Sequence, residues 1–139
     1  MAIKMRILYA SSKKKINNIA NAIKSQYDLA FNSVDVIPPA YSCDKERIVI
    51  LAINLKGNLP DDYRLFVREL TKARAYNVAI IAAGDDACVE RTKELIKEAG
   101  ANVIEDVKKI KMGLFDNKVT DAEKTEILEW VKKTIESLN

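Results

Sequence analysis

Two runs constrain this chain more than anything else in it: Ile48-Val49-Ile50-Leu51-Ala52-Ile53 and Val78-Ala79-Ile80-Ile81-Ala82-Ala83. Neither contains a polar residue. A strand with one face in water alternates apolar with polar, so an unbroken apolar run of strand length belongs to a sheet covered on both faces. Around these runs the apolar period changes to that of a helix. Ile16, Ile19, Ala20, Ile23 and Tyr27 share one face, as do Tyr63, Phe66, Val67 and Leu70. Cys88, Thr92, Leu95, Ile96 and Ala99 form a third such stripe, and Ile127, Leu128, Val131, Ile135 and Leu138 a fourth. Shorter strand patterns fall within Ile3–Ala10 and Val34–Ile37, the latter stopped by Pro38-Pro39. A fifth lies within Val103–Met112, in its second half, where Ile110 and Met112 alternate with Lys111.

The order is β-α-β-β-α-β-α-β-α, which predicts a parallel sheet with helices on both faces, a three-layer α/β sandwich. Local chemistry supports the boundaries. Pro60 suits a first helical position, Gly100 suits the residue after a helix, and Thr120 with Glu123 forms a T-x-x-E capping box. No repeat, linker or low-complexity tract divides the 139 residues, so residues 1–139 read as a single domain.

Composition removes several classes of function. The chain has no histidine, which excludes Ser-His-Asp and Cys-His nucleophilic triads and His-containing zinc sites. Its 2 cysteines, Cys43 and Cys88, are too few for an all-thiolate zinc site or a disulfide framework. The 23 basic and 20 acidic residues are intermingled, which gives no nucleic-acid footprint. No apolar run approaches the roughly 18 residues of a membrane span. The first residues, MAIKMRILYA, do not read as a signal peptide, so a cytoplasmic protein is expected.

In a doubly wound sheet, ligands bind at the C-terminal ends of the strands, where the strand order reverses. Three loops are predicted to meet there: Ser11–Ile16, Asn54–Leu59 and Gly84–Cys88. Several of their residues have a plain structural role available. Ile16 begins a helix's apolar stripe, and Cys88 lies on another with Leu95. Asp85 and Asp86 suit helix capping better than a metal site. Lys13-Lys14-Lys15 reads equally as an anion site at a helix N-terminus or as a solvated turn. Trp130 and Tyr76 read as packing residues, and Lys108, Lys109 and Lys111 as the solvated side of an edge strand.

The residues resemble the flavodoxin family over nearly the whole chain. Ile7-Leu8-Tyr9-Ala10-Ser11-Ser12 looks like that family's first strand and the start of its phosphate loop. Gly57-Asn58-Leu59-Pro60-Asp61 is similar to the segment leading into its next helix, and Ala99-Gly100-Ala101-Asn102-Val103 to the turn before its last strand. Lys111–Phe115, Val119–Glu123 and Trp130 resemble the approach to its C-terminal helix. The resemblance implies a five-stranded parallel sheet of order 2-1-3-4-5. It also implies bound FMN and electron transfer between protein partners, hence an electron carrier or binding protein more than a stand-alone enzyme. The site it implies comprises Ser11, Ser12, Lys13, Lys14, Lys15, Ile16, Asn54, Leu55, Lys56, Gly57, Gly84, Asp85 and Cys88, with no catalytic and no metal-binding residue.

The site departs from the family's pattern. Where the phosphate loop reads approximately S/T-x-T-G-x-T, this chain has Ser11-Ser12-Lys13-Lys14-Lys15-Ile16. The second and third loops carry no aromatic residue to stack on a flavin ring. The leading expectation is an electron-transfer protein that binds FMN or another phosphorylated molecule in the strand-end crevice; the alternative is a flavodoxin-fold module that has lost FMN and serves binding or protein interaction.

Overall fold

A computed structural model describes residues 3–11, 13–27, 33–112 and 118–138. The chain runs β1 (Met5–Ala10), α1 (Lys14–Tyr27), β2 (Val34–Val36), β3 (Glu46–Leu55) and α2 (Asp61–Arg68). It continues with β4 (Ala75–Gly84), α3 (Asp86–Ala99), β5 (Asn102–Val103), β6 (Lys108–Lys109) and α4 (Asp121–Glu136). All strand pairings are parallel, in the order β2-β1-β3-β4-β5, and β6 also pairs with β4.

The two apolar runs are the central strands, as their composition requires. Ile48 through Ile53 are fully buried. Their side chains alternate between two cores: Ile48 and Ile50 pack on the α1/α4 side with Ile19, Ile23, Ile127 and Val131. Val49, Leu51 and Ile53 pack on the other side with Tyr63, Val67, Leu95 and Ile96. Each side chain removed from water contributes on the order of 1.5–3 kcal/mol.

The fifth strand departs from expectation. The sheet edge is filled by two short pieces, β5 and β6, rather than by a strand centred on Ile110–Met112. Val103 lies beside Val78 and Lys108 beside Ile81, so five steps of the edge chain match three of β4. The surplus is a bulge. Lys93 and Lys97 of α3 hold Glu105, and Trp130 of α4 donates from Nε1 to Asp106. Half-buried Val107 and Ile104 drop into opposite cores. Two opposed sets of contacts thus hold the chain out of the sheet, and Ile110 returns with one bond from its amide to the Ala82 carbonyl.

Three smaller corrections concern ends. Pro60 has extended backbone and is the N-cap of α2, with Asp61 the first helical residue. Asn54 and Leu55 belong to β3, paired with Ala83 and Gly84, so the second loop begins at Lys56. Tyr76 is exposed rather than packed. Gly100 ends α3 in left-handed conformation. The capping box is formed in both directions between Thr120 and Glu123. Among the described residues, no helix is long and apolar enough to cross a membrane.

Candidate functional site

At the C-terminal edge of the sheet, the ends of β1, β3 and β4 open into a cleft of about 400 Å³. Its walls are Lys13 from the first loop, Asn54 and Lys56 from the end of β3, and Ala83, Gly84 and Asp85 from the end of β4. Ile110 and Met112 close it from the chain leaving β6. The three predicted loops therefore do converge. The contribution of Ile110 and Met112 was not read from the sequence. The topology could have signalled it, since the segment after an edge strand lies at the same sheet end.

The second and third loops are tied to each other. Asp85 occupies the N-cap position of α3 but does not cap it with its side chain. Its Oδ2 instead accepts the Gly57 amide at 2.8 Å, and its own amide donates to the Leu55 carbonyl at 2.9 Å. This replaces the expected capping role with a cross-loop one. The reason is geometric: parallel pairing of β3 and β4 through Leu55 and Gly84 delivers Asp85 beside Gly57. Cys88 lies inside α3, where its Sγ donates to the Gly57 carbonyl at 3.3 Å. Burial, and then the Asp85 carboxylate, push its thiol above the usual range. It is thus a packed thiol and not an activated nucleophile. Gly57 and Cys88 face a neighbouring cleft of about 480 Å³, walled also by Asn58, Leu59 and Arg91.

The first loop is divided between site and core. Lys13 faces the cleft, and its amide donates to the Ser11 hydroxyl at 3.1 Å. Lys14 is exposed, and Ser12 lies outside the described residues. Lys15 is 2% exposed. Its ammonium donates to Glu123 Oε2 at 2.7 Å and to the Lys111 carbonyl at 3.0 Å. Ile16 is fully buried. The three consecutive lysines are therefore not one positive patch, because the helical turn carries Lys15 away from the cleft and onto α4.

The electrostatics of the cleft follow. Lys13 and Lys56 bring two cations to its walls and Asp85 one carboxylate, already hydrogen-bonded to Gly57. Asp86 forms an ion pair with Lys109 at 2.8 Å. No group of three or more potential metal ligands occurs among the described residues.

No family model matches the chain, and no curated protein matches it. Solved structures do. A short-chain flavodoxin associated with a non-canonical PDU bacterial microcompartment aligns over 100% of both chains, at 14% identity and TM-score 0.68. A flavodoxin from the domain Archaea aligns over 98% of this chain and 99% of its own, at 13% identity and TM-score 0.62. The flavodoxin-like domain of a Synechococcus sp. protein aligns over 93% and 99%, at 12% identity and TM-score 0.54. At such identities the likeness shows the fold, and the fold is flavodoxin-like.

FMN is the group this fold brings to mind, and the described residues meet it unequally. Lys13 and Lys56 suit its phosphate by charge. The Ser11 hydroxyl accepts from the Lys13 amide, and Ile16, with no hydroxyl, is packed in the core. The described cleft residues offer a flavin ring Ile110 and Met112 but no aromatic face; Gly113–Phe115 lie outside the described residues. Among the described residues, this lining suits a phosphate by charge and offers no aromatic face for a flavin ring.

Proposed function

We propose that this protein is a flavodoxin-fold binding module whose strand-end cleft takes a small phosphorylated molecule through Lys13 and Lys56, without FMN-based redox chemistry. The observation that carries this reading is the convergence of those two lysines on one cleft whose described walls otherwise hold a single carboxylate, that of Asp85, among aliphatic and neutral polar groups. Two ammonium groups favour a dianionic phosphate over a neutral sugar, and Asn54 supplies a neutral polar partner. The Gly57–Asp85 bond fixes the carboxylate, so the ligand meets a shaped wall with one negative side. On this reading a bound phosphate would lie on the Lys13 and Lys56 side, away from the Asp85 carboxylate.

A second reading is an FMN-dependent electron carrier, favoured by the fold likeness to two flavodoxins. One titration separates the two. The full chain is titrated with FMN, following flavin fluorescence, and by calorimetry with AMP as a flavin-free phosphate monoester. The proposal expects AMP to bind with salt-sensitive affinity, and the Lys13→Gln/Lys56→Gln double variant to weaken it about tenfold, roughly 1.4 kcal/mol. Tight FMN binding with quenched fluorescence, and none of AMP, would reverse the order of the two readings. Unchanged AMP affinity in the double variant would remove the lysines from the site.

A further inference from the structure

The cleft on the far side of Gly57, about 480 Å³ in volume, has a charge pattern of its own. It lies against the first turns of α2 and α3, and each helix sends one arginine to its wall: Arg64 from α2 and Arg91 from α3. The residues next to them tie the two helices together. Tyr63 and Thr92 meet through a buried hydrogen bond, Oη to Oγ1, at 2.9 Å. Thr92 donates its own proton to the Cys88 carbonyl at 2.8 Å, so Tyr63 is the donor in that bond. The two arginines therefore grow from a fixed base.

Neither guanidinium is fully engaged. Arg64 donates from Nη2 to Asp61 at 3.0 Å, and Arg91 from Nη1 to Glu94 at 2.9 Å. Both partners are exposed carboxylates three residues away on the same helix. Such pairs contribute little and give way readily to another anion. A guanidinium carries five N–H donors, and among the described residues no other acceptor meets either fork. Asp61 is the one carboxylate on the described walls of this cleft, so two cations face one anion. The strand-end cleft repeats that balance, with Lys13 and Lys56 facing Asp85.

The two clefts adjoin. Lys56 lines the first and Gly57 the second, and the Asp85 carboxylate holds the Gly57 amide between them. No side chain crowns this ridge: a Cβ at Gly57 would have nothing within 4 Å. A ligand can cross there over bare backbone.

We propose that the two clefts form one elongated site, and that its ligand is a small molecule phosphorylated at both ends. One phosphate lies on Lys13 and Lys56, the other on Arg64 and Arg91. The proposal rests on the reading of the first cleft given above and adds the second anchor, which sets the class as a bisphosphate. Planar arginine forks match pairs of phosphate oxygens, so the second anchor selects an oxyanion and not negative charge alone.

The test is calorimetric titration of the full chain, at constant ionic strength, with fructose 1,6-bisphosphate and with fructose 6-phosphate. The bisphosphate should bind one per chain and at least about tenfold more tightly than the monophosphate. Arg64→Gln/Arg91→Gln should remove that preference and leave fructose 6-phosphate affinity unchanged. Should the double variant not fold, Arg91→Gln alone, at a half-exposed side chain, should cut the preference at least about threefold. Lys13→Gln/Lys56→Gln should weaken both ligands. Equal affinity of the two ligands for the wild type, two bisphosphates bound per chain, or an undiminished preference in the arginine variants would each overturn the joined site while leaving the first cleft standing. Fructose 6-phosphate affinity unchanged in the lysine variant would instead overturn the reading of the first cleft, and the joined site with it.

Discussion

Gly84 shows how much a single residue can decide at the site. In a phosphate-binding fold, a glycine at a strand end suggests close approach of a ligand. Here it has φ 91°, and a Cβ at this position would lie 2.3 Å from the Leu55 carbonyl oxygen. The glycine is required by the neighbouring strand, not by a ligand. Gly57 also has positive φ, 72°, but open space around the missing Cβ. Gly84→Ala is therefore expected to destabilise by more than about 2 kcal/mol, and Gly57→Ala by only about 1 kcal/mol, the backbone cost alone. Urea denaturation of both variants checks the order, and equal losses would contradict it. Cys43 carries a second residue-scale prediction. It is 1% exposed, and burial pushes its thiol from 9.0 up to about 11, against the opposing pull of Arg6. Between those values the unfolded chain releases a proton that the native one keeps. Stability is thus fully present below pH 9 and is lost as pH rises toward 11, by at most about 3 kcal/mol. Comparing the alkaline stability slopes of the wild type and Cys43→Ala isolates this contribution; parallel slopes would refute it.

At the scale of elements, α4 is joined to α1 through one carboxylate with two duties. Glu123 closes the capping box on Thr120 and accepts from buried Lys15. Those bonds, with Lys15 first and the Thr120 amide next, hold its acid below the usual range. The stability it contributes is therefore present at neutral pH and declines as acid protonates it. Thr120→Ala removes one cap bond, worth about 1 kcal/mol. Glu123→Ala removes a cap bond and an anion facing a buried ammonium, and should cost more, about 2–4 kcal/mol. Thermal unfolding of the pair tests this ordering, which a larger loss in Thr120→Ala would invert. The cap itself was legible from T-x-x-E spacing. The tie to Lys15 was not, because residues 108 positions apart meet only when two helices pack on one face of the sheet.

Across the whole molecule, order is concentrated in the centre of the sheet. β3 and β4 pair over almost their full length, from Glu46–Ala75 to Leu55–Gly84. The opposite edge is two dipeptides separated by a bulge. Local opening needs few bonds broken at such an edge and global unfolding at the centre. Amide hydrogen exchange should accordingly be slowest at Ile50, Leu51, Ile80 and Ile81, and much faster at Ile104 and Ile110. Comparable protection at the two places would show that the bulged edge is as cooperative as the core.

The sequence by itself determined the layers, the central strands and their parallel sense, because apolar period is a local record of which faces a segment buries. It also placed the three loops at one end of the sheet, since connectivity in a doubly wound fold leaves them nowhere else. Only the tertiary structure decided what those loops present. Lys13 reaches the cleft while Lys15, two residues on, is buried against Glu123. Asp85, a good cap by type, bonds across to Gly57. The edge strand breaks where Glu105 and Asp106 are drawn to opposite helices. In each case the residue type allows several partners, and the partner is selected by which distant side chain the packing brings within about 3 Å.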